Sequence, residues 1–471
     1  MNLKIHKKNL ILIFGAFTYL ILASIAAYFF KERTVFMDVA FRIFHIVKDA
    51  DFAIQAGRFG EAVTQWIPLL GTVMELPIKS IALSYSVGVV LYYFSIFLLC
   101  FFLFKQEKFA LSLLLFNVFM VSYTFWWMQI EFAQAIALSI LVFAWMTKAK
   151  NLKYFLGWKG ILLALMLHTL FYFHPLIPIL LVYFLFFFKE TPSFKINNQL
   201  FYTVLVFILV EYLAKFLFFG NSGYDSVALK CLDNFARLFP NYFNTKANLN
   251  FLNYCKTDYY FLPITLITCL IFYFYHRNRY KLLLLVCFFF GYLLLVNISN
   301  HKGMAQFHIE SFYLPLSIFL ICPLVFDIFA KIKSPYLFGT IIALIISVRV
   351  YHITNLHEPY TARIEWYEDL ITKVRYSDHT KVIISSDEVP LDTLWQTWAS
   401  SQEIWLLSSV ESSSSPSSII LTHKPDKFGW AQGKKDAFFT EWEVFKYKDL
   451  PVKYFNFTDT SKYKVVSIEN L

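Results

Sequence analysis

Long apolar runs alternate with short basic ones along this chain. Runs at about 9–30, 82–104, 109–126, 132–147, 160–173, 175–188, 199–219, 259–275, 282–298, 311–330 and 336–352 each predict a membrane-spanning helix. Two of them come from one stretch, GILLALMLHTLFYFHPLIPILLVYFLFFF, which is basic at both ends: Lys148, Lys150 and Lys153 before it, Lys189 and Lys195 after it. Splitting it at His174-Pro175 gives a short helical hairpin and keeps both clusters on one side. Eleven crossings then place the N-terminus in the cytoplasm and the C-terminus outside.

Three polar segments fall on the outer face in this scheme: 31–81, about 220–258, and a tail from 353 to 471. In the tail the pattern changes. KVIISS and SSIILTH read as strands, LDTLWQTWASSQ between them as an amphipathic helix, and SSVESSSSPSS as a loop. The fold class expected is an α-helical polytopic membrane protein, a transmembrane unit over 1–352, with a small α/β domain over 353–471.

Composition agrees. Of 471 residues 58% are hydrophobic, 55 are Phe and only 16% are charged, more apolar surface than a soluble domain needs. The net charge of +10 sits in short clusters such as KIHKKN and HRNRYK, as in cytoplasmic loops rather than a nucleic-acid groove. Cys231 and Cys255 fall in one outer loop and are candidates for a disulfide; no metal-ligand spacing appears among the six cysteines.

The candidate chemistry begins at VFMDVAFRIFHIVKDADFA, residues 35–53. On a helix Asp38, Arg42, His45 and Asp49 fall within roughly 60° of one another. Phe36, Val39, Ala40, Ile43, Phe44 and Val47 fill the other side. Asp38 follows the first span closely, where a carboxylate suits a general base, and Arg42 suits an oxyanion. The plainer alternative is the solvated face of an interfacial helix. Asp51 follows in the same loop. His168 and His174 flank the hairpin apex on different helix faces and fit packing better than a shared metal. NISNHKGMAQFHIESFYLPL, residues 297–316, adds His301, Lys302, His308 and Glu310, with Arg349 near the end of the last span. Such a basic cluster suits an anionic headgroup or pyrophosphate. There is no P-loop, no G-x-S-x-G elbow and no H-E-x-x-H, so a nucleotide-driven reaction is not expected.

The stretch FMDVAFRIFHIVKDADFAIQAGRFGEAVTQWIPLL resembles the first outer loop of the GT-C glycosyltransferases, which include the protein mannosyltransferases and the bacterial aminoarabinose transferases. Asp38 matches their acidic residue after the first span, KDADF their acidic turn, and Trp66 and Pro68 the segment that enters the second span. Tyr313, Leu314 and Pro315, the hairpin, and the C-terminal outer domain follow in the family's order. Val39 stands where some relatives carry a second acid, so a divalent metal is not indicated. Where many relatives carry Lys at the hairpin apex, this chain has His168 and His174.

The resemblance implies a transferase that moves a sugar from a polyprenyl-phosphate donor, undecaprenyl in a bacterial inner membrane, to a hydroxyl of a glycan, lipid or protein. Asp38 would be the base, with Arg42, Lys302, Arg349 and His301 on the donor phosphate. His45, Asp49, Asp51, His174, His308 and Glu310 would line the cavity. No cofactor is called for. The competing readings are an O-antigen polymerase or ligase, whose central loop would be larger than about 40 residues here, and a transporter or scaffold. A transporter needs ionisable groups deep in several spans, and only Glu211, Asp327 and the histidines approach that.

Overall fold

The computed structural model describes residues 3–219, 231–377, 381–411, 416–429 and 433–471. Residues 220–230 of the second expected outer loop and 412–415 of the Ser-rich loop lie outside these.

The N-terminal part runs α1 (Leu3–Tyr28), α2 (Phe30–Thr34), α3 (Met37–Asp49), α4 (Ala62–Val73), α5 (Ile78–Leu98), α6 (Glu107–Phe119), α7 (Tyr123–Trp126), α8 (Glu131–Ala149), α9 (Trp158–Phe171), α10 (Ile177–Lys189) and α11 (Asn198–Phe219). After it come α12 (Lys246–Thr257), α13 (Phe261–Tyr275), α14 (Arg279–Ser299), α15 (Gln306–Cys322), α16 (Pro335–Asn355) and α17 (Glu358–Tyr376). Local signals set several ends. The Thr245, Asn278 and Ser334 side chains cap α12, α14 and α16, and Pro335 opens the last of these at N1.

Among the described residues, seven helices are long and apolar enough to cross a membrane, so the chain is an integral membrane protein. An eighth arises if α12 and α13, bent 93° to each other, form one broken span. The seven contain α1, α5, α8, α11, α14, α15 and α16. Every expected crossing does find a helix, but α6, α9, α10 and α13 are shorter. At 13 residues α6 is about 20 Å long, less than a bilayer core of about 30 Å. Every residue of α6 from Phe109 to Phe119 is buried, so it is an interior helix of the bundle.

The two tail strands are where the pattern put them: β1 (Lys381–Ser385) and β2 (Ser418–Thr422). They pair in parallel, and a two-residue β5 (Lys464–Val465) adds to the other edge of β1. β2 is buried throughout and β1 nearly so, as a covered parallel sheet requires. β3 (Ala437–Phe439) and β4 (Val444–Lys446) form a separate antiparallel pair.

The helix expected over LDTLWQTWASSQ is displaced. The chain makes a short α18 (Leu391–Leu394), turns at Trp395, and then forms the longer α19 (Ser400–Glu411). Trp395 has φ +60, which ends the first helix. The pattern did not foretell α17, whose buried Tyr360, Ile364, Tyr367 and Ile371 recur at helical spacing.

The tail packs on the bundle through α3. Phe44 meets Trp405, Phe438, Phe445 and Phe455 at 5.1–5.6 Å. Lys31 pairs with Glu368 at 3.0 Å and with Glu411 at 2.9 Å. The disulfide expected between Cys231 and Cys255 is absent, and both thiols are free. Cys255 instead packs against the apolar core, and Cys231 opens a short turn against α14.

Candidate functional site

The site is organised around α3, which is held at both ends. Its first amide, Met37 N, donates to Glu403 Oε1 of α19 at 2.7 Å. Glu403 is itself gripped by Arg363 at 2.6 Å and by the Tyr367 hydroxyl at 2.8 Å, and all three side chains are buried. At the other end Ala50 adopts a left-handed conformation and closes the helix on Ile46 O. The tail therefore fixes where Asp38, in the first turn, is presented.

α3 is covered on two sides in its first two turns, which leaves Asp38 and Phe41 half-buried between them instead of on a fully solvated stripe. The Phe44 side faces the tail. On the other side Arg42 is 4% exposed, forms an ion pair with Glu61, and donates to Ala53 O at 2.9 Å. Gln65 holds both backbone groups of Ala53, accepting from Ala53 N at 2.8 Å and donating to Ala53 O at 3.1 Å. Asp38 is half-buried, within electrostatic reach of Arg42, Arg58 and Glu403. Burial raises its carboxyl above the ordinary 3.8, against the pull of Arg42. Burial also pushes Glu61 up to about 7, opposed by Arg42 and Arg58.

Arg58 joins this cluster to the hairpin apex. It pairs with Glu131, which sits in the first turn of α8, where a carboxylate suits the helix dipole. Arg58, Lys215 and His308 all lie within electrostatic reach of His174. His174 stacks on Phe132 at 4.1 Å, His308 meets Trp127 edge-on at 5.4 Å, and Lys215 donates to Phe171 O at 3.0 Å. The loop reaches the apex because of a glycine. Gly60 N donates to Tyr172 O at 3.2 Å, and a Cβ at this position would lie 2.4 Å from Phe173 Cγ, in the fixed part of a buried ring. The result is a half-buried carboxylate and a group of basic side chains at one end of the bundle, joined through Arg58.

Several expected residues are elsewhere or already occupied. Arg349 is 0% exposed and donates to Val118 O, Val121 O, Asp258 O and Ser122 Oγ, so four of its five N–H groups are spent tying the bundle together. Glu310 accepts from Ser122 N, Tyr123 N, Thr124 N, Thr124 Oγ1 and the Tyr259 hydroxyl, so it is a structural acceptor and not a cavity wall. Lys302 is exposed beside His301, with Arg237 in electrostatic reach of that imidazole, and nothing joins either to Asp38. Asp49 and Asp51 are exposed; Asp49 pairs with Lys48 at 2.6 Å and Asp51 accepts its own neighbour's amide, Phe52 N. Beyond two turns, then, the polar stripe does become a wet surface. Arg42 is engaged by Glu61 and Ala53 O.

The deep ionisable groups are paired in the same way. His168 meets Glu211 at 2.9 Å, and Asp327 meets Lys281 at 2.8 Å and the Tyr273 hydroxyl at 2.6 Å. A cavity of about 40 Å³ beside Arg33, Tyr19 and Asn117 has room for little more than a water or two. No group of three or more His, Cys, Asp or Glu side chains that could hold a metal occurs among the described residues.

Arg58, Glu61, Glu131 and Lys215 are the site residues that pattern reasoning missed. RFGE carried a usable signal, two opposite charges around a glycine in a loop. Glu131 and Lys215 carried none, since their neighbours come from distant segments. No family model, curated protein or solved structure matches this chain.

Proposed function

We propose that the chain is a GT-C-like glycosyltransferase that moves a sugar from a polyprenyl-phosphate donor to an acceptor hydroxyl. One observation carries this reading: a half-buried carboxylate, Asp38, sits in the first turn of a helix pinned through Met37 N to Glu403 at the end of the bundle, within electrostatic reach of Arg42 and Arg58. Asp38 takes the acceptor's hydroxyl proton as its oxygen bonds to the anomeric carbon. The bond from that carbon to the phosphate oxygen breaks, and its electron pair leaves with the lipid phosphate. Arg58 and Lys215 are the cations assigned to that developing charge, in a region poor in water. Arg42 and Glu61 keep the Asp38 side of α3 in place. The resemblance of residues 36–70 supports the same chemistry.

The reading includes eleven crossings, a cytoplasmic N-terminus and a tail outside a bacterial inner membrane. In that case a phosphatase reporter fused after Leu471 is active and a cytoplasm-dependent reporter is dark; the reverse pattern refutes the topology.

The base must be ionised to work. Asp38 is raised above 3.8, so it is protonated and idle at acid pH, and transfer rises as pH passes through the raised value. Sugar transfer by the purified protein from a labelled polyprenyl-phosphate sugar, measured against pH, should show an acidic limb displaced upward from the ordinary aspartate value. A rate that is flat through that region removes Asp38 as the base.

A further inference from the structure

The outward side of α3 continues past Asp38 as a row of rings. Phe41 and His45 lie about 60° and 20° from Asp38 around the helix, and Phe41 is only about 4.5 Å further along its axis. Their rings meet at 4.3 Å. The tail supplies the opposite wall. Phe41 is 6.0 Å from Trp398 and 6.1 Å from Trp442, and the two indoles stack at 5.0 Å with 30° between their planes. Trp442 is 62% exposed although it is among the costliest side chains to leave in water.

Polar groups interleave with the rings. The exposed Gln396 accepts from Trp398 Nε1 at 2.9 Å, and Lys48, Asp49 and Glu443 lie within electrostatic reach of His45. The turn that presents Gln396 and Trp398 starts at Trp395, whose positive φ is costly for so bulky a residue.

The geometry points to a saccharide-binding platform here, occupied by the pyranose ring of the acceptor. A pyranose presents polarised C–H bonds on its face and hydroxyls around its edge. The C–H face meets the electron-rich face of an indole, and the hydroxyls meet the amide and carboxylates of the rim. An aliphatic helix or a lipid tail would leave that rim unpaired, at a cost. The platform begins within one turn of Asp38, so an acceptor ring seated on it can bring a hydroxyl to the base. The inference deepens the transferase reading by naming its acceptor class, and it rests on that reading for the acceptor role.

Binding tests it separately from catalysis. Detergent-purified full-length protein is applied to an array of pyranose oligosaccharides. The wild type is expected to bind at least one glycan. Trp442→Ala should bind it about tenfold more weakly, the scale of one lost aromatic contact. Trp442→Phe keeps a ring and should recover most of the binding, which separates stacking from folding. Absence of any bound glycan, or equal binding by Trp442→Ala, overturns the platform. Glycan binding without sugar transfer by the wild type leaves the platform standing as a saccharide site and removes only the transferase reading.

Discussion

Asp38→Asn is expected to lower sugar transfer by about 10²–10⁴-fold, the usual scale for losing a general base. The substitution keeps shape and polarity and removes only the ability to take a proton. Folding should survive it. The Asp38 side chain is only half-buried, and the firm contacts of α3 belong to others: Met37 N on Glu403, Arg42 on Glu61, Phe44 among the tail's aromatic rings. Asp49→Asn serves as the contrast. It lies on the same helical stripe but is exposed and paired with Lys48, so its transfer rate should stay near wild type. A large loss in both variants would point to the stripe as a whole and not to Asp38.

Glu403→Ala is expected to be the most damaging single change to stability, about 3–5 kcal/mol. It strands the buried Arg363 guanidinium without its carboxylate and leaves Met37 N at the start of α3 without an acceptor. The cost is high because neither group reaches water to recover its hydrogen bonds. Glu403→Gln retains an oxygen for Met37 N but no charge for Arg363, so it should fall between wild type and Glu403→Ala. Fluorescence-detected size-exclusion after a heating series would rank the three. Unchanged melting of Glu403→Ala would mean that the tail does not fix α3.

The contrast between these two residues shows what was legible in the sequence. Asp38 sits in a local pattern, one carboxylate on a helical stripe after a span, and the helix formed where its periodicity put it, Met37–Asp49. The two parallel strands were legible for the same reason, since a buried strand writes itself as a continuous apolar run. Glu403 comes just after the stretch LDTLWQTWASSQ that reads as an amphipathic helix, and its partners, Arg363 and Met37, are 40 and 366 positions away. Pairings of that kind depend on the tertiary fold and leave no spacing to find. Arg349 and Glu310 misled for the opposite reason. A charged residue at the end of an apolar helix looks functional, but each here satisfies the backbone around Ser122, where α6 ends and α7 begins. The ion pair that Arg42 makes with Glu61 was not legible from the α3 stripe, because Glu61 comes from the loop that follows. Span count rests on composition alone: α6 is as apolar as a lipid-facing helix, yet it has only 13 residues and is buried in the bundle from Phe109 to Phe119.

The central claim is that Asp38 is the base that deprotonates the acceptor hydroxyl during sugar transfer from a lipid-linked donor. Its most direct test is transfer of radiolabelled sugar from a polyprenyl-phosphate donor by wild-type and Asp38→Asn protein, purified alike and eluting alike on size exclusion. The account predicts labelled product and released lipid phosphate with the wild type, and a loss of at least about 100-fold with the variant. Undiminished transfer by Asp38→Asn, or no transfer by the wild type with any such donor, would contradict it.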